Sequence, residues 1–160
     1  MKLYRLFVCG FLVMFLGLLF APLAHCEPNV IPFVEAQGDS TIPLLLIPVV
    51  VNNHHLVLLF DTGAMGVGVP KSVVASCDVI GKIQTTGIGG RQEEIAVRAD
   101  VTIGTDTFSK QMVSSLSTPG FSHSLDHHLD GILGETIMKH YSRITIDYDA
   151  HTITLDGRKP

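Results

Sequence analysis

The stretch Asp61-Thr62-Gly63-Ala64 gathers the groups best suited to chemistry. It closes an apolar run, Leu56-Val57-Leu58-Leu59-Phe60, that reads as a buried strand. A carboxylate at the end of such a strand is expensive unless something hydrogen-bonds it or uses it. Thr62 adds a hydroxyl and Gly63 adds backbone without a side chain, so both can come close to the carboxylate. An acid placed this way can give or take a proton in an environment that tunes it. The competing reading is an ordinary turn, because Asp, Thr and Gly all favour turns. The tetrapeptide alone does not separate the two, since short motifs match by chance.

Other side chains offer weaker chemistry. His123, His127 and His128 stand near Asp126 and Asp130 in a polar stretch, 114–128. His123 and His127 are spaced to share a metal only on a helix, and Pro119, Gly120 and the serines oppose one. A solvated loop is expected there, with no metal site. Cys77 has no neighbour that would activate a thiolate and reads as a small, partly buried residue. Gly87, Ile88, Gly89 and Gly90 are not at phosphate-loop spacing and no helix follows, so no nucleotide cradle is expected. No other stretch implies a cofactor.

These groups must be positioned by strands. The chain of 160 residues is long enough for one domain with a core. A lead-in at 27–40 reads as an extended or flexible arm. Ile42 to Val51 is apolar and β-branched, with Pro43 and Pro48 marking an edge or irregular strand. A turn over residues 52–55 then leads into the strand that delivers Asp61. Residues 71–76 read as one short turn. Runs at 82–86 and 92–98 flank the glycines as a β-hairpin, either a mobile surface hairpin or a lid over a cleft. A further hairpin spans 100–103 and 107–113. Asp130 to Gly134 reads as a short buried strand. Residues 135–142 read as a helix, with Ile137, Met138 and Tyr141 on one side. Runs at 143–148 and 152–155 make a last hairpin whose apolar face either closes the domain or meets a second subunit.

Lys2 and Arg5 precede an uncharged run from Leu6 to Phe20, followed by small residues up to Cys26. That order describes a secretory signal, with cleavage after Cys26 expected. An uncleaved anchor that would hold the chain at a membrane is the alternative, although the run is short for a span. Segment 23–26 also loosely matches a lipoprotein signal, with His25 out of place. Export places the protein in the periplasm or outside the cell. Cleavage would leave Cys77 alone, so no disulfide is expected within the mature chain. The formal charge is −4, and removing Lys2 and Arg5 makes the remainder more acidic. A nucleic-acid partner would need a basic footprint and is not expected.

An apolar strand into Asp61-Thr62-Gly63-Ala64, a glycine-rich hairpin at 86–91 and Ile132-Leu133-Gly134 before a short helix together resemble a retropepsin-like aspartic protease of the single-lobe, exported bacterial type. The resemblance covers roughly residues 40 to 156 and leaves 157–160 as a tail. It implies a mostly β, closed-barrel-like lobe with one short C-terminal helix, acting as a homodimer. Asp61 would be the catalytic carboxylate. Thr62 would brace the two active-site loops across the subunits. Gly63 would let backbone N–H groups reach the carboxylate, and Ala64 would permit close packing. Gly87, Ile88, Gly89 and Gly90 would form the flap tip over a peptide or protein substrate. Ile132, Leu133 and Gly134 would pack beneath the active loop. The chain carries a single Asp-Thr-Gly, and the implied chemistry needs two carboxylates sharing a proton, hence two copies. Two departures from the family stand out: Met65 lies where many relatives have a small polar residue, and no aromatic residue lies near the hairpin tip. The alternative function is a non-enzymatic exported β module that binds a peptide or cell-envelope partner through its hairpin edges.

Overall fold

A computed structural model describes residues 27–37, 42–87, 90–116 and 125–159. The expected signal at 1–26 lies outside the described residues, as do Ile88, Gly89 and His123. The described fold is mostly β with one short helix.

The hairpin that leads to Asp61 forms from β3 (Leu44–Val51) and β4 (His54–Phe60). Asn52 and Asn53 turn it with φ of 45° and 67°, a left-handed conformation that Asn tolerates better than most residues. His54 and His55, expected in the turn, belong to β4. Leu56, Leu58 and Phe60 alternate into the main core, and Val57 and Leu59 face the other way. Pro43 and Pro48 suggested an edge or irregular strand, and of the two the edge is excluded, because β3 lies between β2 and β4. On its far side β2 (Val34–Ala36) pairs with Leu44 to Leu46, and β7 (Gly90–Ile103) pairs with Val50 and Val51. Pro48, which has no N–H to give, falls between those two pairings.

The larger sheet has eight strands in the order β2-β3-β4-β9-β5-β8-β7-β6. Its remaining members are β5 (Val67–Pro70), β6 (Val79–Gly87), β8 (Asp106–Leu116) and β9 (Gly131–Leu133). The two runs expected at 92–98 and 100–103 are one strand, β7, whose register shifts between Ala99 and Val101. At the shift Asp100 Oδ1 accepts the Lys110 N–H at 2.8 Å, and Lys110 has φ 54°. The same strand thus serves both hairpins. Residues 71–74 form a 3-10 turn.

The second sheet has the order β1-β11-β10, from Asn29–Pro32, Thr152–Asp156 and Arg143–Asp147. The last hairpin therefore lays its apolar face on this chain's own core: Ile153 and Leu155 are buried, and Ile144 and Ile146 pack against them. Part of the expected lead-in arm is paired instead, through β1 on β11 and β2 on β3. Ile31 and Phe33 carry that segment into the core, which is why it does not remain loose.

The helix is shorter than its apolar spacing suggests. The α-helix α1 covers Glu135–Met138, and turns continue it to Tyr141. Ile137, Met138 and Tyr141 are all buried. The Ser142 N–H then donates to the carbonyls of Asp156 and Gly157 rather than back into the helix, which stops it. A polar cluster secures this corner. Asp106 accepts from Asn29 Nδ2 at 3.0 Å, Tyr141 Oη at 2.7 Å and Arg158 Nη1 at 2.7 Å. Asn29 Nδ2 also donates to the Ile103 carbonyl at 2.7 Å. The expected tail thus reaches back into the fold through Arg158, and the Lys159 N–H donates to the His140 carbonyl at 2.7 Å.

Candidate active site

Three short segments meet at the end of β4. Strand β9 lies parallel to β4, pairing Leu58 with Gly131, Leu59 with Ile132 and Phe60 with Leu133. Its other side pairs antiparallel with β5, Val67 to Leu133 and Gly68 to Ile132. Residues 61–66 join β4 to β5 and so must pass over the C-terminal end of β9.

That crossing is pinned from below by backbone hydrogen bonds. The Asp61 N–H donates to the Leu133 carbonyl at 3.0 Å. The Glu135 N–H donates to the Ala64 carbonyl at 2.8 Å, and the Thr136 N–H to the Met65 carbonyl at 3.1 Å. The N–H groups at the start of a helix have no partner within it, and here two of them grip the loop. The loop closes on itself as well: Ala64 N–H donates to the Asp61 carbonyl at 3.2 Å.

Two glycines make the crossing possible. A Cβ on Gly134 would stand 2.3 Å from the Ala64 carbonyl oxygen, and one on Gly131 would stand 2.1 Å from that of Gly68. Neither distance leaves room for a side chain, so both positions demand glycine. Ile132-Leu133-Gly134 accordingly lies directly beneath Asp61 to Ala64.

The Asp61 side chain is half-buried, and its Oδ1 accepts the Gly63 N–H at 2.8 Å. Thr62 and Gly63 are exposed, Ala64 is half-buried, and Met65 is 82% exposed. A rigidly held backbone therefore presents a carboxylate beside an exposed tip. Among the described residues no hydrogen bond joins Asp61 to a second carboxylate. The arrangement can hold one acid in a fixed place for proton transfer, and a pair of acids requires a second such loop.

The glycine-rich hairpin is formed by β6 and β7, with Thr86 opposite Arg91 and Gly87 opposite Gly90. Gly90 has φ 87°, a conformation open to glycine and costly for other residues.

The histidine-rich stretch is tied down at its described end by two Asp-His pairs. His127 Nδ1 meets Asp126 Oδ1 at 2.7 Å, and His128 Nε2 meets Asp130 Oδ1 at 2.8 Å. The bond to His127 leads the effects that hold the Asp126 carboxyl below its ordinary value. Asp126 also accepts from the Gln37 N–H, and Asp130 from the Val57 N–H. The acids thus clip the stretch to Gln37, just after β2, and to β4, and their histidines lie apart in separate pairs. Among the described residues no three potential ligand side chains gather to hold a metal ion. Cys77 is half-buried against the core and accepts from Asn52 Nδ2 at 3.0 Å.

Sequence reasoning missed the grip of Glu135 and Thr136 on the loop. It also missed two buried polar atoms without a hydrogen-bond partner, Glu94 Oε2 and Thr136 Oγ1. Main-chain gripping leaves no trace in residue type. Glu94 was detectable in principle, because two-residue alternation puts it on the same side of its strand as Ala96.

No family model matches the chain, and no curated protein matches it. Among solved structures it is similar to a retropepsin-like aspartic protease from Rickettsia conorii, at 17% sequence identity over 81% of this chain and 93% of that one, with a TM-score of 0.49.

Proposed function

We propose that the chain is an aspartic-type endopeptidase that works as a pair of identical copies. The observation that carries the reading is the pinned crossing: a half-buried Asp61 on a loop held at three backbone points, with an exposed tip beside it. A carboxylate on a buried strand end is costly, and this one has a single fixed donor and an open side. Two such loops facing each other about a two-fold axis would bring two Asp61 side chains together. One carboxylate takes a proton from a water as that water attacks the scissile carbonyl, and the other, protonated, gives its proton to the carbonyl oxygen. The leaving nitrogen receives a proton as the C–N bond breaks. No covalent intermediate forms.

Thr62 would brace the facing loops, and Gly63 and Ala64 would keep them close. The β6–β7 hairpin, with Gly87, Ile88, Gly89 and Gly90 at its tip, would close over an extended peptide that adds as a strand. The charged start and apolar run before residue 27 support export to the periplasm or beyond, by a cleaved signal or with the run retained as a membrane anchor.

The test assays the purified chain and its Asp61→Asn variant on a mixed peptide library from acid to neutral pH, with molecular mass recorded in the same samples. Cleavage by the wild type alone, tracking the dimer and blocked by a statine peptide, is the expected result. A folded dimer that cleaves nothing would refute the reading and favour a binding module.

A further inference from the structure

Glu94 is a buried acid that the Asp61 loop does not use. It lies in β7 and is only 4% exposed. Its Oε1 accepts the Thr85 hydroxyl at 2.8 Å. Its Oε2 is buried and has no hydrogen-bond partner. A carboxylate oxygen at that depth ordinarily has a donor, and its absence calls for an explanation. The cationic side chains nearby in sequence are engaged elsewhere. Lys82 pairs with Glu93 at 2.7 Å, Arg91 donates to Gln84, and Arg98 donates to the Lys110 carbonyl at 3.0 Å.

Strand register connects Glu94 to the Asp61 loop. Leu59 pairs with Ile132, Ile132 with Gly68, Gly68 with Ser114 and Ser114 with Ala96. Residues paired in this way share a face of the sheet. Leu59 is two residues before Asp61, at the end of β4, and Glu94 is two residues before Ala96 within β7, so alternation keeps Glu94 on that same face. The face lies opposite the one that Leu58, Phe60, Val67, Val97 and Val113 turn to the main core. Leu59, Ile132 and Leu116 are half-buried on it. Leu116 covers the bare Gly68 backbone, where a Cβ would stand 2.8 Å from its Cδ2. The face thus runs from the exit of β4, across an aliphatic floor, to an acidic acceptor at the base of the glycine-rich hairpin.

We propose that Glu94, supported by Thr85, is a specificity-determining residue that receives the ammonium or guanidinium of a basic side chain in the bound peptide. The aliphatic stem of Lys or Arg suits Leu116, which stands on the strand next to Glu94, and its cationic head supplies the donor that Oε2 lacks. The inference rests on the reading of the chain as a peptide-cleaving enzyme and adds the class of residue it selects. Glu94 is 4% exposed, so the cationic head reaches Oε2 only as the β6–β7 hairpin opens to admit the peptide.

The test uses the full chain and matched peptides that carry Lys or norleucine at one position at a time, since norleucine keeps the stem and drops the ammonium. Binding is measured on the Asp61→Asn protein, so that no peptide is consumed, and on Asp61→Asn combined with Glu94→Gln. At one position Lys is expected to bind at least about tenfold better than norleucine, and Glu94→Gln is expected to bring that ratio close to one. The norleucine peptide should bind both proteins within about twofold. Equal binding of Lys and norleucine at every position overturns the proposal, and so does a preference that survives Glu94→Gln. If Glu94→Gln does not fold, Thr85→Ala replaces it and must reduce the same ratio. The two readings fail separately. Lys preference in binding without any cleavage by the wild type would refute the protease and keep the subsite, and cleavage without Lys preference would do the reverse.

Discussion

The Asp61 N–H donates to the Leu133 carbonyl at 3.0 Å, so the acid begins its loop directly on the end of β9. That bond places the carboxylate over a strand from a distant part of the sequence. Because β9 is itself clamped between β4 and β5, the loop has little freedom to move relative to the sheet.

Replacing Asp61 by Asn should remove peptide cleavage while leaving the fold intact. Asn keeps an oxygen that can accept the Gly63 N–H, so stability should change by less than about 1 kcal/mol. The proton-transfer group is lost, and cleavage should fall at least about 1,000-fold. Initial rates and urea unfolding on the same preparation check both halves.

Gly134→Ala should damage the site from beneath. Its Cβ would meet the Ala64 carbonyl at 2.3 Å and the Gly66 carbonyl at 2.7 Å, both of them backbone atoms that cannot swing aside. A loss of about 3 kcal/mol or more is expected, with activity lost alongside. Gly81→Ala is the control, because nothing lies within 4 Å of its Cβ and its φ is ordinary. It should unfold within about 1 kcal/mol of the wild type.

The Asp106 cluster should make stability depend on acid pH. Burial pushes the Asp106 carboxyl up, but the bonds from Tyr141, Arg158 and Asn29 and the Arg158 charge together outweigh it, and the net shift is downward. A carboxyl held low in the folded state contributes stability that is present above its unfolded value of 3.8 and is lost as pH falls through the folded value. Asp106→Asn should therefore cost about 2 kcal/mol near neutral pH and progressively less as pH falls below about 4. Urea midpoints of both proteins from pH 7 to pH 2.5 would show the two curves converging.

Asn29→Ala tests whether the segment after residue 27 belongs to the fold. Asn29 is 3% exposed, donates to Ile103 and Asp106, and accepts the Thr105 N–H at 3.1 Å. Removing its side chain leaves several buried groups without partners and should cost about 2–3 kcal/mol. A loss below about 0.5 kcal/mol in urea unfolding would mean that β1 is dispensable.

Local pattern carried most of the strand plan and the candidate acid. The unbroken apolar run from Leu56 to Phe60 marks a buried strand, and the abrupt Asp-Thr-Gly at its end marks a place where burial and charge conflict. Both signals are written in neighbouring residues. The glycines at 87–90 and the alternation in the last hairpin are equally local. The tertiary structure alone decided how these pieces meet. Pro48 could sit in a central strand because β2 and β7 leave it a gap. The helix stopped early because Ser142 found Asp156. The lead-in became β1 and β2 because Ile31 and Phe33 found the core. The loop was fixed by Leu133, Glu135 and Thr136 through main-chain groups that every residue type shares, and Glu94 became buried only when three strands packed in register. Side-chain pattern reports what a residue can do with its neighbours in sequence, whereas backbone hydrogen bonds and burial between distant strands exist only once the chain has folded.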